Sequence, residues 1–424
     1  MSAHSVAADQ ADISIGSTPC DIGNVPTLLE SISSFRGRND LGTNRDDRLD
    51  LLEQARKLVH ALETPRELML KHIGAETASF FSIALGIDVG LFKALVLHQG
   101  KPKKVKEIAG IIGFDVDGLS RILRHLAAMG HIENTGPDEY APNNFSKALT
   151  IPVIADGYLF YRETCIPSML HLHSWLKTKA YQTPTTVIDN PFTFGQRTSM
   201  TMFEFMAIEP YRMEHFNHHM GGYRLGRPSW FEPSVYPAQE RLLALRDSSN
   251  SDAAVLVDIG GNKGHDLERF LSYFPSVAEG ENKGKFILQD TAPVLAEAPS
   301  DLISLIEKQP HDFFMPQPVQ GARAYYLHHI LHDWPDAKCE VIVKQIRGSM
   351  KKGYSKLLIN EHVIPAVGAN WEATYLDLYM MVQFGSRERT EEEWKVLLEE
   401  KCGMRIVGIW NPGNGVEAVI ECEI

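Results

Sequence analysis

The most informative stretch of this chain is Tyr325-Tyr326-Leu327-His328-His329-Ile330-Leu331-His332-Asp333-Trp334-Pro335-Asp336. A run rich in Tyr, Leu and Ile suits a strand that is buried on both faces of a parallel sheet. Ligands bind at the carboxyl ends of such strands, and His332 stands where the apolar run stops. A neutral imidazole can take a proton near pH 7. The stretch therefore predicts a candidate base at His332, with a simple helix-capping role as the alternative.

Other segments around this stretch repeat the same alternation of strand and helix. Apolar runs at 253–261, 285–290, 323–331 and 356–364 are separated by helical stretches, which is typical of βαβ units around a parallel sheet. The last two runs, 405–411 and 416–424, flank a turn rich in Pro and Gly and predict an antiparallel hairpin at the far edge. We therefore expect an α/β, Rossmann-like domain over residues 251–424.

The N-terminal half has a different, helical pattern. Residues 1–45 are rich in Ser, Asp, Gly and Asn and predict a mobile leader with one short helix near Thr27–Ser34. An amphipathic helix follows over 45–61, and Glu76–Val96 is apolar on nearly every face, which favours a core helix or a dimer interface. Residues 104–132 predict helix, turn, helix and short strand, hence a winged-helix-like dimerisation domain over 46–150.

Residues 151–250 predict a helical connector that also supplies part of a substrate pocket. Within it, FNHHMGGYRLGRPSWFE (Phe216–Glu232) is unusually dense in Gly, His, Arg and aromatic residues for a simple connector. Its His218 and Met220 are candidates for the pocket wall. Three more candidates come from the apolar run Leu376–Gly385: Met380, Met381 and Phe384. A stripe of Met and aromatic residues can equally belong to the core.

Composition excludes several classes of protein. The chain has 424 residues, which predicts two or three domains, and a net charge of −12, which argues against binding to nucleic acid or anionic membranes. Five scattered cysteines without a CxxC pair indicate reduced thiols. No secretion signal or membrane span is evident, so we expect a cytoplasmic protein. A winged-helix transcriptional regulator is therefore poorly supported.

A glycine-rich loop, Val257–Gly264 (VDIGGNKG), follows the first predicted strand. Glycines let the backbone approach a ligand closely and open a helix whose N–H groups face it. Asp290 ends the second strand, where it could hold ribose hydroxyls. Asp312-Phe313 could contact adenine by hydrogen bonding and stacking. Lys263 is the only cation in the loop, which does not favour a dinucleotide.

Together these motifs resemble the class I S-adenosylmethionine-dependent O-methyltransferases of the caffeic-acid type. The markers are VDIGGNKG, LQD, HDFF, LHDWPD and SRERT, and residues 50–424 resemble fungal secondary-metabolite members of the family. The resemblance implies a winged-helix dimerisation domain followed by a Rossmann-like catalytic domain. It also implies S-adenosylmethionine as cofactor, a small-molecule substrate and a homodimer, and it implies no metal ligand.

The resemblance assigns roles to individual positions. The candidates for binding the cofactor are Gly260, Gly261, Gly264, Asp290, Asp312, Phe313 and His328. The candidates for catalysis are His332 as base, with Glu361 and Glu388 as the two acids that orient it. Two positions depart from the family. Asn262 replaces a common glycine, which a residue tolerant of left-handed backbone can do, and His328 stands where plant relatives carry a lysine.

The chemistry of these residues is consistent with methylation of a hydroxyl group. A phenol with a pKa near 10 is a poor nucleophile at neutral pH, and a general base that removes its proton contributes about 10²–10⁴-fold. We therefore expect methyl transfer to a phenolic or enolic hydroxyl of an aromatic or polyketide-type metabolite. The alternative is a pericyclase or cyclase that binds the cofactor without transferring its methyl group. The presence of His332, Glu361 and Glu388 favours methyl transfer.

Overall fold

The computed structural model describes residues 12–247, 250, 252–277, 284–299, 305–413 and 415–424. It divides into two compact units, with the boundary between Leu159 and Phe160. The expected separate connector, 151–250, is not a unit of its own. Most of it belongs to the second unit, where helix Ile166–Thr178 packs against Pro191–Gln196 and against the later helix Trp371–Phe384.

The N-terminal unit is mainly helical, as predicted. Its α-helices are Val25–Ser33, Arg45–Leu62, Pro65–Leu70, Thr77–Asp88, Leu91–Val96, Val105–Ile112, Val116–Ala128 and Asn144–Ala148, and helix Pro152–Phe160 reaches the boundary. Single turns of 3₁₀ or π helix lie at Ile13–Ser17, Ile22–Asn24, Lys71–Glu76 and Leu97–Gly100.

The predicted leader is only partly correct. The short helix near Thr27–Ser34 is present as Val25–Ser33, but the described residues before Arg45 are not a detached segment. The backbone N–H of Cys20 donates to the carbonyl of Glu63 at 2.9 Å, and that of Asp21 donates to Ala61 at 3.1 Å. These bonds tie the segment to the end of the following helix. Residues 1–11 lie outside the described part of the chain.

The apolar stretch 76–96 forms two helices rather than one. Gly90 has a φ of +76° and separates Thr77–Asp88 from Leu91–Val96, because a left-handed residue cannot continue a right-handed helix. Ile83 and Leu91 are buried in the core of the unit, whereas the side chains of Phe81 and Leu85 are exposed. The unit by itself therefore buries only part of this apolar surface.

Residues 103–141 have the order of elements that the sequence predicted. Helices Val105–Ile112 and Val116–Ala128 are joined by a turn in which the carboxylate of Asp115 accepts a hydrogen bond from Gly118 N–H at 2.7 Å. The hairpin of strands Glu133–Gly136 and Glu139–Ala141 follows, and strand Lys103–Lys104 pairs with its second strand.

The second unit is built on a seven-stranded sheet, as predicted for an α/β domain. Its strands in chain order are Ala254–Ile259, Lys285–Asp290, Ile306–Pro310, Ala324–His328, Lys356–Glu361, Arg405–Trp410 and Ala418–Glu423. In space the order is sixth, seventh, fifth, fourth, first, second, third. The first five strands are parallel, so their carboxyl ends share one edge of the sheet.

The sequence pattern located most of these strands because the central ones are buried on both faces. Strand Ile306–Pro310 was missed, since its residues are mostly exposed and polar at the edge of the sheet. The predicted C-terminal hairpin is confirmed: Ala418–Glu423 pairs antiparallel with both Arg405–Trp410 and Lys356–Glu361. Asn414 in its turn lies outside the described residues.

Helices cover both faces of the sheet and form two apolar cores. The α-helices of this unit are Ile166–Thr178, Pro191–Gln196, Met202–Ala207, Pro210–Gly222, His265–Tyr273, Ala292–Glu297, Asp336–Arg347, Trp371–Phe384 and Glu391–Lys395. Short 3₁₀ or π turns lie at Tyr161–Cys165, Gln239–Leu243, Pro275–Val277, Leu331–Asp333 and Val396–Lys401. Strands Val363–Ile364 and Arg389–Thr390 form a small parallel pair.

Among the described residues, no single helix has the length and apolar composition to cross a membrane. One bent pair of helices, Pro65–Asp88 with Leu91–Gly100, passes that test by length and composition.

Candidate active site

The glycine loop lies against the second strand of the sheet. The N–H groups of Gly260 and Gly261 donate to the carbonyl of Gln289 at 2.7 and 3.1 Å. Gly260 has a φ of +72°, and a Cβ atom there would lie 2.5 Å from Cδ1 of Ile330. A Cβ at Gly261 would lie 2.5 Å from the carboxylate of Asp258. Neither position can hold a side chain without displacing its neighbours, so the loop presents backbone to a ligand.

The rest of the loop is fixed by Asp290, as its position at the strand end predicts. Asn262 has a φ of +51°, which confirms the left-handed conformation expected of it, and its N–H donates to Asp290 Oδ2 at 2.9 Å. The other oxygen of Asp290 accepts from Thr291 N–H at 2.7 Å. Burial raises the pKa of Asp290. Gly264, with a φ of +84°, begins helix His265–Tyr273.

Asp258 is a member of this site that the sequence analysis missed. Its side chain is 1% exposed, and neither carboxylate oxygen has a hydrogen-bond partner among the described residues. Burial raises its pKa to about 7, with the guanidinium of Arg224 acting in the opposite direction. An acidic residue inside a strand that is otherwise apolar was the available signal.

The predicted adenine-side turn also lies at this edge. Asp312 is exposed, and its Oδ1 accepts from the N–H of Phe314 at 3.0 Å. The ring of Phe313 is half-buried and lies beside the loop, since a Cβ at Gly260 would be 3.8 Å from Phe313 Cε1. The structure therefore brings the glycine loop, Asp290 and Phe313 together at the carboxyl ends of the strands.

His332 lies further beyond its strand than the sequence suggested. The strand ends at His328, and the predicted continuation to residue 331 is wrong because His329 has a φ of +52° and cannot extend the ladder. A single 3₁₀ turn, Leu331–Asp333, then carries His332, and helix Asp336–Arg347 follows.

Glu388 holds the imidazole of His332. Nδ1 of His332 lies 2.6 Å from Glu388 Oε1, and both side chains are buried. On the other side of the ring, Nε2 lies 3.5 Å from Asp333 Oδ1. Burial alone would lower the pKa of His332, but the neighbouring carboxylates, Glu388 foremost, outweigh it and raise that pKa to about 10. The pocket therefore stabilises the protonated imidazole strongly.

Glu361 was expected to orient the imidazole of His332, but it contacts the backbone before His332 instead. Its Oε1 accepts hydrogen bonds from the backbone N–H groups of Ile330, at 3.1 Å, and Leu331, at 2.6 Å. It is fully buried, which raises its pKa to about 7. Of the two predicted orienting acids, Glu388 therefore contacts the imidazole, whereas Glu361 holds the backbone that leads to it.

Arg389 fixes the same turn from the opposite side and was missed by the sequence analysis. Its buried guanidinium donates to the carbonyls of Leu331 at 3.0 Å and Trp334 at 3.1 Å. It also pairs with Asp336 at 2.9 Å. Arg389 is next to Glu388 in the SRERT motif, which was a usable signal. Its partners are more than 50 positions away in the chain, so these contacts could not be predicted.

His329 adds a second imidazole beside the first. The two ring centroids, of His329 and His332, are 4.8 Å apart. Burial lowers the pKa of His329 to about 3, so this ring is neutral at pH 7. Its Nε2 lies 3.4 Å from Glu417 Oε1, and Glu417 in turn accepts from Arg227 at 2.9 Å. The site thus contains two adjacent imidazoles with opposite preferences for a proton.

The predicted pocket residues are divided between core and partly buried positions. Met380 and Phe384 are buried in an aromatic and Met-rich cluster with Met202 and Met206, because one side of helix Trp371–Phe384 faces residues 160–206. A role in lining a substrate pocket stays a prediction for these two. The remaining three candidates are half-buried: His218, Met220 and Met381.

A row of aromatic rings leads from this cluster to the candidate base. Tyr161 contacts Tyr379 at a centroid distance of 5.0 Å and His219 at 5.4 Å. His219 lies 6.4 Å from Tyr223, whose ring is 5.5 Å from that of His329. None of these rings has a role predicted from the sequence, since their contacts join distant parts of the chain.

Within the described residues, two groups of His and Glu side chains have the spacing to hold a metal ion: His332 with Glu361 and Glu388, and His328 with His329 and Glu417. Both are opposed electrostatically. The positive charge of Arg389 acts on Glu361 and opposes the rise in its pKa. The guanidinium of Arg227 already pairs with Glu417. A cation would have to compete with these guanidinium groups.

Comparison with known proteins gives the class to which this fold and site belong. A sequence model described as an O-methyltransferase domain matches residues 238–404. The chain is 32% identical to the O-methyltransferase mpaG of Penicillium brevicompactum over 375 residues, which cover 88% of this chain and 92% of the relative. A solved structure of OxaC with SAH and oxaline is 26% identical with a TM-score of 0.82, covering 95% of this chain and 98% of that one.

A solved pericyclic reaction enzyme is also similar, with 28% identity and a TM-score of 0.83 over 95% of this chain and 99% of that one. The fold is thus that of class I S-adenosylmethionine-dependent methyltransferases. The chain belongs to the O-methyltransferase family, and specifically resembles its fungal secondary-metabolite members. Its cofactor is S-adenosylmethionine.

The residues present fit that cofactor. The glycine loop has no room for a Cβ at Gly260 or Gly261, so bare backbone lies at this edge of the sheet, and Asp258 supplies buried carboxylate oxygens without a partner among the described residues. Asp290 ends its strand beside the loop, where a carboxylate suits ribose hydroxyls, and Phe313 offers a ring for stacking.

Replacing Asp290 by Ala should weaken binding of S-adenosylhomocysteine by about tenfold or more, because the change removes both a ribose acceptor and the acceptor for Asn262 N–H. Isothermal titration calorimetry measures this loss. Glu307→Ala, an exposed carboxylate on the neighbouring strand, is the control and should bind like the wild type. Equal affinities for the Asp290 variant and the wild type would show that the ribose site is misassigned.

Proposed function

We propose that this enzyme methylates a phenolic or enolic hydroxyl of a small aromatic or polyketide-type secondary metabolite, with His332 as general base. Membership of the O-methyltransferase family sets the reaction type. The identity of the acceptor and the role of His332 are our inference from the chain's own residues.

The observation that carries this proposal is the 2.6 Å contact between His332 Nδ1 and Glu388 in a buried turn. A carboxylate on Nδ1 fixes the tautomer with the proton on that nitrogen and leaves the Nε2 lone pair as the proton acceptor. Glu388 also stabilises the imidazolium that forms when the proton arrives. Glu361 and Arg389 hold the backbone on each side of His332, which fixes the position of the base.

The aromatic row from Tyr379 to His329 supports an aromatic acceptor. Flat apolar rings pack well against other aromatic rings in offset or edge-on geometry. Desolvation raises the pKa of Tyr161 and of Tyr223 well above the ordinary value, so their hydroxyls stay neutral and can act as hydrogen-bond donors to a polar group on the acceptor.

When bound, S-adenosylmethionine supplies an electrophilic methyl group on a positively charged sulfur. The chain's own residues then have two tasks. The loop around Gly260, with Asp290, binds and orients the cofactor, and His332 takes the proton of the attacking hydroxyl at Nε2. Positioning of the two reactants supplies much of the remaining acceleration.

A pericyclase is the second candidate, and the solved pericyclic reaction enzyme with the same fold favours it. The two functions differ in stoichiometry. A methyltransferase forms one S-adenosylhomocysteine and a product 14 Da heavier per turnover, whereas a pericyclase forms a product isomeric with its substrate. Mass spectrometry of reactions with a panel of polyphenolic and polyketide substrates separates them.

We also infer a homodimer assembled through the N-terminal unit. Its helices between 65 and 88 leave large apolar side chains exposed, including Ile73 at 69%, Met69 at 50% and Phe81 at 44%. Large apolar side chains left exposed on one unit favour burial against another chain.

Replacing His332 by Ala should lower turnover by about 10²-fold or more, the usual scale for loss of a general base. Affinity for S-adenosylhomocysteine should stay within a few-fold and reports that the variant is folded. The deficit should be smaller with more acidic phenols, which ionise without help. His60→Ala, an exposed histidine of helix Arg45–Leu62, is the matched control. Full activity of His332→Ala would show that His332 is not the general base.

Replacing Glu388 by Gln tests the electrostatics of the base. The carboxylate raises the pKa of His332, so wild-type His332 keeps its proton until the pH rises above neutrality, and kcat/KM should climb with pH. Without that charge the pKa falls, and the rising limb should move to lower pH. The maximal rate should fall less than in His332→Ala, since the base is retained.

The pH profile of kcat/KM for an acceptor found in the panel measures this shift. Glu391→Gln, an exposed carboxylate on the adjacent helix, should leave the profile in place. If kcat/KM of Glu388→Gln rose at the same pH as that of the wild type, Glu388 would not set the protonation of the proposed base.

Light scattering tests the dimer. The wild type should have twice the chain mass of 47.5 kDa at micromolar concentration, and replacing Phe81 and Leu85 together by Glu should shift it toward the monomer, because charges would be buried without partners. Val367→Glu places the same charge on an exposed apolar residue of the second unit and should leave the dimer intact. A monomeric wild type would exclude the proposal.

A further inference from the structure

Arg224 lies in the Gly-, His- and Arg-rich segment 216–232, and the proposed function gives it no role. It follows helix Pro210–Gly222, and its guanidinium reaches the carboxyl edge of the sheet. One nitrogen, Nη2, lies 2.8 Å from Asp266 Oδ2, and Nη1 contacts the other oxygen of the same carboxylate. The guanidinium also contacts the ring of His328. About a quarter of the Arg224 side chain, 27%, remains exposed.

The partners of Arg224 surround the glycine loop. Asp266 is the second residue of helix His265–Tyr273, which the loop opens, and its Oδ2 lies 2.9 Å from Nδ1 of His328. His328 ends the neighbouring strand. Asp258 lies directly beneath Gly261, and its charge interacts with that of Arg224. One cation and two carboxylates therefore face the same loop.

These charges complement one part of the cofactor. The methionine portion of S-adenosylmethionine ends in a carboxylate and an ammonium group, so it needs one cation and at least one anion. A guanidinium has five N–H donors, so Arg224 can donate to a ligand carboxylate while it stays paired with Asp266. The two oxygens of Asp258, which have no hydrogen-bond partner among the described residues, add negative charge suited to the ammonium.

We propose that Arg224 binds the carboxylate of the methionine portion of the cofactor, with Asp266 and His328 orienting its guanidinium. The proposal rests on the cofactor assignment and is independent of the role of His332. It also accounts for His328 in place of a lysine: the cation comes from another segment of the chain and lies on the histidine ring. Arg227 holds that segment in place through Glu417, at 2.9 Å, and Glu372.

Two ligands that differ only in the amino-acid portion test this proposal. S-adenosylhomocysteine carries the carboxylate and ammonium, whereas 5′-methylthioadenosine keeps the adenosine and the thioether sulfur but lacks both charges. In isothermal titration calorimetry, Arg224→Ala should weaken binding of S-adenosylhomocysteine by about tenfold or more, the scale of a lost hydrogen bond to a charged group. Binding of 5′-methylthioadenosine should change by less than about twofold.

Three further variants make the result specific. Arg269→Ala removes an exposed cation of helix His265–Tyr273 whose charge reaches Arg224, and it should bind both ligands like the wild type. Asp290→Ala should weaken both ligands together. Adding His328→Lys to Arg224→Ala returns a cation to the end of the strand and should recover part of the lost affinity for S-adenosylhomocysteine only.

The proposal is overturned if Arg224→Ala weakens both ligands equally, which would indicate a structural role, or if it weakens neither. A wild-type protein that binds neither ligand would overturn the cofactor assignment as well. Failure of His332→Ala to reduce turnover would count against the proposed base and would leave the role of Arg224 standing. Thermal unfolding of each variant shows whether a loss of affinity reflects loss of the fold.

Discussion

The buried contact between His332 and Glu388 is the interaction on which the site depends. Both side chains are almost fully removed from water, and a buried charge without a partner costs several kcal/mol. The turn that carries His332 is therefore held from several directions at once, by Glu361 on its N–H groups and by Arg389 on its carbonyls. This set of bonds keeps the imidazole at one position instead of allowing it to reach solvent.

Much of the fold could be predicted because the central strands are buried on both faces, so their apolar runs identify them without any other information. Strand Ile306–Pro310 could not, since an exposed edge strand of Ile, Glu, Lys and Gln has no such pattern. The break between two helices at Gly90 was also not predicted, because the residues on both sides of it are apolar and favour helix. Residue preferences alone do not determine which glycine of a chain adopts a left-handed backbone conformation.

The short motifs of the site could be predicted from the sequence, but the hydrogen bonds and ion pairs between distant residues could not. Glycines, Asp290, His332 and Glu388 could be placed because each belongs to a short pattern with a chemical reason. Arg224 and Arg389 pair with groups 42 and more than 50 positions away in the chain. No periodicity links such positions, and a basic residue on its own more often lies at the surface. Only the fold brings these cations to the carboxyl edge of the sheet.

The two imidazoles at this edge show how surroundings, rather than residue type, assign a role. His332 contacts Glu388 and lies near Asp333, and this excess of negative charge favours its protonated form. The side chain of His329 is also mostly removed from water, but the charge of its neighbour Glu417 is already paired with Arg227, so desolvation prevails and the ring stays neutral. The groups that hold the proposed base, Glu388 and Arg389, are distinct from those that fix the glycine loop, Asp290 and Gln289. A change at the proposed base can therefore leave the cofactor site in place.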